Sequence, residues 1–283
     1  LLFMKNFKSI IIILVIFLKT GNVLSETSLF NVNNVKIIGD LTLSNENLAN
    51  QAIKKAFKEL MNKVLLEKDL TKIENLKFNQ IKSLVSYYQI SESLENRKKK
   101  NIEKTYNIFF DKSKVHDLFY KFDISYSDLS QYEIFFLPIH KKDDELFIYN
   151  QNYFYINWNE ITQNELIEFI LPLEKIEILQ SIINYKDNLI NIDIRNIFQE
   201  YSKKNYALVI IEENKLGPNK IFLKTNIMGK NISRSIELEK NISNIDKFYE
   251  EIINKVNKEI TNLVKSQNLI DIGTPSFINI KFF

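Results

Sequence analysis

Cysteine is absent from the 283 residues, and there are only five glycines and four prolines. Without cysteine there is no disulfide, no thiol nucleophile, no thiolate metal site and no lipid attached through a lipobox. The glycines beyond residue 25 are Gly39, Gly217, Gly229 and Gly273, and none opens a strand-to-helix phosphate turn. No serine nucleophile elbow and no HExxH pair is present. The sequence therefore names no cofactor. No segment after residue 25 is apolar enough to span a bilayer, which takes about 20 residues. Alanine occurs only four times, while Ile, Lys, Asn, Phe and Tyr crowd the chain. That is the codon bias of an AT-rich genome, and it weakens any functional reading of lysine, asparagine or aromatic runs.

What is present begins with LLFMKNFKSIIIILVIFLKTGNVLS. Lys5 and Lys8 precede an apolar run from Ile10 to Leu18, then Val23-Leu24-Ser25. This is the order of a secretory signal peptide, with cleavage expected after Ser25 and the periplasm as destination. An uncleaved amino-terminal anchor is the alternative. The chain has 38 Lys+Arg and 35 Asp+Glu, and losing Lys5, Lys8 and Lys19 leaves 35 of each sign. A neutral exported chain gives no electrostatic case for nucleic acid or an anionic membrane as partner. The remaining 258 residues are enough for about two domains of ~100–150 residues, held by burial alone.

Periodicity places the elements. NVNNVKIIGDLTL (31–43) reads as a strand and turn. After Ser44, Ala49, Ala52, Ile53, Ala56, Phe57, Leu60, Val64 and Leu65 make one helical stripe, and its small residues imply close packing on a sheet. A short helix is expected over 75–84. SYYQISESLEN (86–96) and NIEKTYNIFFD (101–111) read as a hairpin with the basic tip 97–100. That tip is a solvated turn or, in the alternative, a phosphate site. A helix over 113–122 and a strand over 132–139 follow, with HKKDDE as a turn and ELFIY starting the next strand. Beyond LPLEK, the chain reads as a helix (194–204), three strands (206–213, 220–228, 232–239) with turns at LGPN and MGKN, and a long helix from Ile245.

The fold class expected is α+β: two small α/β units, each an antiparallel-rich sheet covered by helices, after a cleaved signal peptide. The expected boundaries are 1–25 for the signal, 26–145 for the first unit, 146–175 for an aromatic linker or clamp, 176–270 for the second unit, and 271–283 for the start of a third module. Leu-Leu-Phe ahead of Met4 and the strand-like ending FINIKFF read as a truncated frame.

Two histidines are the candidates for chemistry. His116 stands beside Asp117, with Asp111 preceding, as in a histidine oriented by a carboxylate for proton transfer. The plainer reading, and the favoured one, is a partly exposed helix histidine near an N-cap aspartate. His140 precedes Asp143, Asp144 and Glu145, a set that could ligate a hard cation or simply form a polar hairpin tip. No metal site is assigned. The aromatic segment LFIYNQNYFYINWNE carries Phe147, Tyr153, Phe154, Tyr155 and Trp158, the single tryptophan. In an extended chain Phe154, Ile156 and Trp158 share one face and Tyr153 and Tyr155 the other. That parity favours a segment buried between the two units over an exposed ligand patch, with partners for its phenol and indole polar atoms.

In order and spacing, VKIIG (35–39), AIKKAFKELMNKVL (52–65), LVSYYQISESLE (84–95), YNIFFDKSKVHDLF (106–119), FFLPI (135–139) and YALVIIEE (206–213) resemble an uncharacterised proteobacterial family of exported proteins, domain of unknown function twenty sixty-six. Leu146-Phe147, Asn152-Tyr153-Phe154 and Trp158 match that family's aromatic motif in spacing. Phe147 and Phe154 stand where tryptophans are usual, and Tyr153 stands where proline is usual. The layout of the second unit is similar to the amino-terminal domain of the Tol-system translocation protein B. The resemblance implies export and an α/β protein, and it supplies no catalytic residues. The expectation is an exported binding or envelope-assembly module whose partner is another envelope protein. The alternatives are a hydrolase using His116 or His140 with carboxylates, or a structural part of a larger envelope protein.

Overall fold

The structure, a computed structural model, describes residues 29–40, 42–96, 101–129, 131–162, 166–214, 219–238 and 244–270. The signal segment, the basic tip 97–100, most of the LGPN turn and the tail 271–283 lie outside the described residues.

The fold is α+β, with two antiparallel-rich sheets covered by helices. The first sheet has the order β1-β3-β2, from β1 (Asn31–Asp40), β2 (Val85–Asn96) and β3 (Asn101–Phe110), all antiparallel. Helix α1 (Asn45–Val64) lies on one face. Ser44 caps it by accepting from the Asn47 N–H, and the expected stripe from Ala49 to Leu65 is buried in full. Ala49, Ala52 and Ala56 of that stripe are buried. Gly39 of β1 approaches so closely that a Cβ there would stand 2.5 Å from the Leu48 side chain. Short helices α2 (Glu67–Leu70) and α3 (Phe78–Ser83) follow, and α4 (Lys112–Lys121) is capped by Asp111.

The second sheet has six strands. Its order is β10-β9-β8-β5-β6, with β7 also on β5. The strands are β5 (Tyr132–Lys142), β6 (Glu145–Phe147), β7 (Ile167–Ile170), β8 (Tyr206–Glu213), β9 (Asn219–Ile227) and β10 (Lys230–Leu238). The meander β8–β10 is as expected, and its second turn is Met228-Gly229, both at positive φ, a two-residue turn that matches strand twist. The central contact is β5 lying parallel to β8, from Phe135 opposite Tyr206 to Lys142 opposite Glu213. Strand β5 therefore belongs to the second sheet, so that sheet's boundary falls before Tyr132 rather than at 145. The helix expected over 194–204 is broken into α7 (Ile194–Ile197) and a 3-10 turn, Gln199–Tyr201.

The aromatic segment is the main correction. It is not extended: Tyr153–Thr162 is a helix, α5. Phe154 and Trp158, four residues apart, face inward, while Ile156 points to solvent. Trp158 packs on Phe136 and Phe169 at ring-centroid distances of 4.0 and 5.5 Å, inside the second core rather than between units. Its indole N–H is buried with no acceptor among the described residues, so the expected partner is not found.

Helix α8 (Ile245–Gln267) covers the same face as α5. The opposite face is covered by α6 (Ile176–Ile183), α7 and neighbouring turns. Two short strands, β4 (Tyr126–Ser127) and β11 (Leu269–Ile270), pair with each other. They lie at the junction with the first core, which includes Tyr126. A second tie crosses this junction. The Lys265 ammonium of α8 is buried and donates to the carbonyls of Asn62 and Leu65 (2.9 Å to Leu65) at the C-terminus of α1. A cation there satisfies carbonyls that the helix leaves free and complements its dipole.

Burial lowers the Lys265 pKa to about 8, so the amine remains protonated at neutral pH. A base whose folded pKa is depressed penalises the fold below that pKa, and the penalty is relieved as pH rises from about 8 toward the usual 10.5. Replacing Lys265 with Met removes this donor from the buried Leu65 carbonyl and the part-buried Asn62 carbonyl, a loss of about 1–3 kcal/mol. Urea titrations should show that loss at pH 7, and the gap between wild type and Lys265→Met should widen from pH 8 to 10. A gap that is absent, or that narrows over that range, contradicts the assignment.

Candidate functional site

The proline in β5 explains how the site is assembled. Strand β5 is flanked on one side by β8 along most of its length. On its other side, β7 pairs with Tyr132–Phe135 and β6 with His140–Lys142, which leaves a gap around Pro138. Proline lacks an N–H and is tolerated where no ladder bond is due. Its carbonyl accepts from the side-chain amide of Asn152 at 2.9 Å. The Asn152 oxygen in turn accepts from the Phe154 N–H at 3.0 Å, capping α5. Asn152 is fully buried, and this one side chain fills the gap and aims the aromatic helix.

His140, two residues beyond Pro138, is not at a hairpin tip. Strand β5 continues to Lys142, and only Asp143-Asp144 turn the chain. His140 is 5% exposed, and its Nε2 stands 3.4 Å from Glu213 Oε2, without hydrogen-bond alignment. Glu213, also 5% exposed, accepts from the Tyr249 hydroxyl of α8 at 2.9 Å. Its other oxygen lies 3.5 Å from the Lys142 ammonium, which reaches in from the solvent side. Phe147, Phe154 and Tyr249 surround the imidazole at 5.2–5.6 Å, and Tyr153 packs at a tilt against Tyr249 at 5.0 Å.

The structure thus joins His140 to Phe147, Tyr153 and Phe154 of the aromatic set, a meeting the sequence did not show. It does not join His140 to Asp143 or Asp144, whose side chains are exposed at the turn. Tyr155 faces the opposite core and donates to the Pro172 carbonyl at 2.8 Å. His116 and Asp117 form no site. Asp117 is exposed, while His116 packs against Phe30 and Tyr126 at 5.3 and 5.0 Å with its Nε2 buried and unpartnered. Asp111 is used as a cap, accepting from Ser113 and Lys114 N–H groups. Among the described residues, no three His, Asp or Glu side chains converge at metal-binding distance, and no helix is long and apolar enough to cross a membrane.

Glu213, Tyr249 and Asn152 were missed. Glu213 ends a strand of apolar residues, a position that resembles a solvated strand end. Tyr249 lies on the inward stripe of α8, where an aromatic counts as core. A base beside an acid is the start of a proton relay. Here, however, the acid already holds a tyrosine and a lysine, and aromatic rings wall in the base.

The first sheet presents a different feature. From Ser86 to Ser91, β2 is exposed on both faces. Tyr87, Tyr88 and Ile90 are 52%, 44% and 47% exposed, and Tyr87 stacks on Phe109 at 4.3 Å. The pairing of β2 with β3 is regular for Tyr87–Ile90 and shifts on either side.

No family model matches the chain, and no curated protein matches it. Three chains among the solved structures do. One, described as the crystal structure of an uncharacterized protein, is 10% identical, with a TM-score of 0.20, over 48% of this chain and 91% of its own.

Burial, then Lys142, push the His140 pKa below 6.5, with Glu213 opposing. A base with a depressed folded pKa stays neutral while the unfolded chain takes up a proton. Its stability contribution is therefore complete above pH 6.5 and falls as pH drops below it. Compared with His140→Gln, wild type should be more stable at pH 7, and the gap should close below pH 6.5 by at most about 1.4 kcal/mol per pH unit. Chemical denaturation from pH 7 to 5 measures it, and a gap independent of pH contradicts it.

Proposed function

We propose that this chain is an exported, non-catalytic binding module of the cell envelope that engages an envelope protein at strand β2. The observation that carries the reading is the contrast between β2 and the other strand edges. Exposed edges are usually blunted by charge, bulges or shortness. Edge strand β10 carries Lys230, Arg234 and Glu237, and Arg234 pairs with Glu259 at 3.6 Å. Edge strand β1 has a register shift between Val32 and Val35, and Lys55 donates to its Lys36 carbonyl. Strands β6 and β7 are three and four residues long. Strand β2 is itself bulged at Ser86 and Ser91, but Tyr87–Ile90 between the bulges is regular, carries no charge and no proline, and among the described residues pairs on one side only. Such an edge accepts an added strand, with main-chain hydrogen bonds for affinity and Tyr87, Tyr88 and Ile90 for side-chain contact.

The signal-like amino terminus supports an envelope location, and charge balance beyond it supports a protein partner over nucleic acid. The ordered segments from Val35 to Glu213 support kinship with the exported family of unknown function. A hydrolase would use His140 as base with Glu213. The burial of His140 and the occupied oxygens of Glu213 weigh against that reading.

A photo-crosslinking amino acid at Tyr88, expressed in the natural host, tests the proposal. The expected result is a discrete adduct with an envelope protein, lost when unlabelled protein competes and absent when the probe is at Ile232 on β10. Equal labelling from both positions, or none from Tyr88, overturns it.

A further inference from the structure

We infer that the protein seated on this edge is a second copy of the chain, joined antiparallel about a two-fold axis beside Gln89. The inference rests on the reading of β2 as a binding edge. A two-fold contact needs a surface that complements itself. With the axis at Gln89, Tyr88 faces Ile90 of the second copy, and the same pair recurs on the other side of the axis. Tyr87 faces Ser91, where the register of β2 against β3 shifts and the regular stretch ends. No two like charges meet, because Val85–Ser91 has none. A charged partner strand would find no opposite charge along this run.

Side-chain direction agrees. Residues directly opposite in an antiparallel pair point to the same side of the sheet. Tyr88 and Ile90 both lie on the α1 side, opposite the core residues Ile108 and Tyr106. The dimer would therefore align a row of aromatic and β-branched side chains across its centre, a favourable cross-strand pairing. Two three-stranded sheets would become one of six, and the exposed edge would be covered in both copies.

The absence of cysteine makes the test direct. Opposite Cα atoms in an antiparallel pair lie about 4.5–5.5 Å apart, inside the range a disulfide spans. Gln89→Cys should give a disulfide-linked dimer under diamide, the oxidant that accepts the two electrons and two protons from the paired thiols. Ser235→Cys on β10 should stay monomeric. In sedimentation, wild type should run as a dimer, and Tyr88→Lys should weaken self-association more than about tenfold with Trp158 emission unchanged. A wild type that remains monomeric at its highest soluble concentration overturns the inference. So does a dimer indifferent to Tyr88→Lys and to the cysteine position. If an adduct from Tyr88 to a different envelope protein persists in either case, the binding-edge reading stands and only the second copy is rejected. If that adduct is also missing, both fall.

Discussion

Asn152 makes two buried hydrogen bonds, to the Pro138 carbonyl and from the Phe154 N–H, and much of the second sheet is arranged around them. A parallel strand flanked by two short neighbours leaves a hole in its ladder. A proline there removes one donor from the account, and Asn152 satisfies the carbonyl that remains. The same amide starts α5, which fixes where Phe154 and Trp158 enter the core. Leaving such buried groups unpaired would cost about 1–3 kcal/mol, comparable to the burial of a large apolar side chain. His140 follows from the same geometry: once β5 runs past Pro138 beside β8, His140 and Glu213 meet on the face that α5 and α8 cover.

A chain without disulfides must couple its parts by packing and hydrogen bonds. The two cores are joined by the β4–β11 pair and by Lys265 at the end of α1. The lysine is the more specific tie, since only a cation on a long stem reaches buried helix-end carbonyls from another helix. By contrast, Ser86–Ser91 of β2 is exposed on both faces. That difference separates the scaffold from the surface available for binding.

The helical stripe of α1, the β8–β10 meander, the hairpin and α8 were legible because one face of each is apolar at a clean period. The aromatic segment was misread because both periods fit it. Phe154, Ile156 and Trp158 alternate, but Phe154, Trp158 and Ile161 also follow a helical spacing, and Asn152 is a good cap. The helical spacing prevails because Ile156 has nothing to pack against and Asn152 holds the first turn. The sheet boundary was illegible for another reason. Strands β5 and β8 are some seventy residues apart, and neither carries a sign of which strand it will pair with. The His140–Glu213 contact depends on that pairing and was hidden with it. The open edge of β2 was legible as a strand but not as an edge, because strand order is a tertiary property.

Hydrogen exchange followed by mass spectrometry in dilute protein tests the central claim, a closed parallel pair inside and an open strand outside. Amides of 134–140 and 207–212 should exchange slowest, through global unfolding, and those of 86–91 should exchange far faster through local opening. Protection of 86–91 equal to that of the central pair under dilute conditions would mean that the edge is already covered within the monomer, and the account of it as a binding surface would fail.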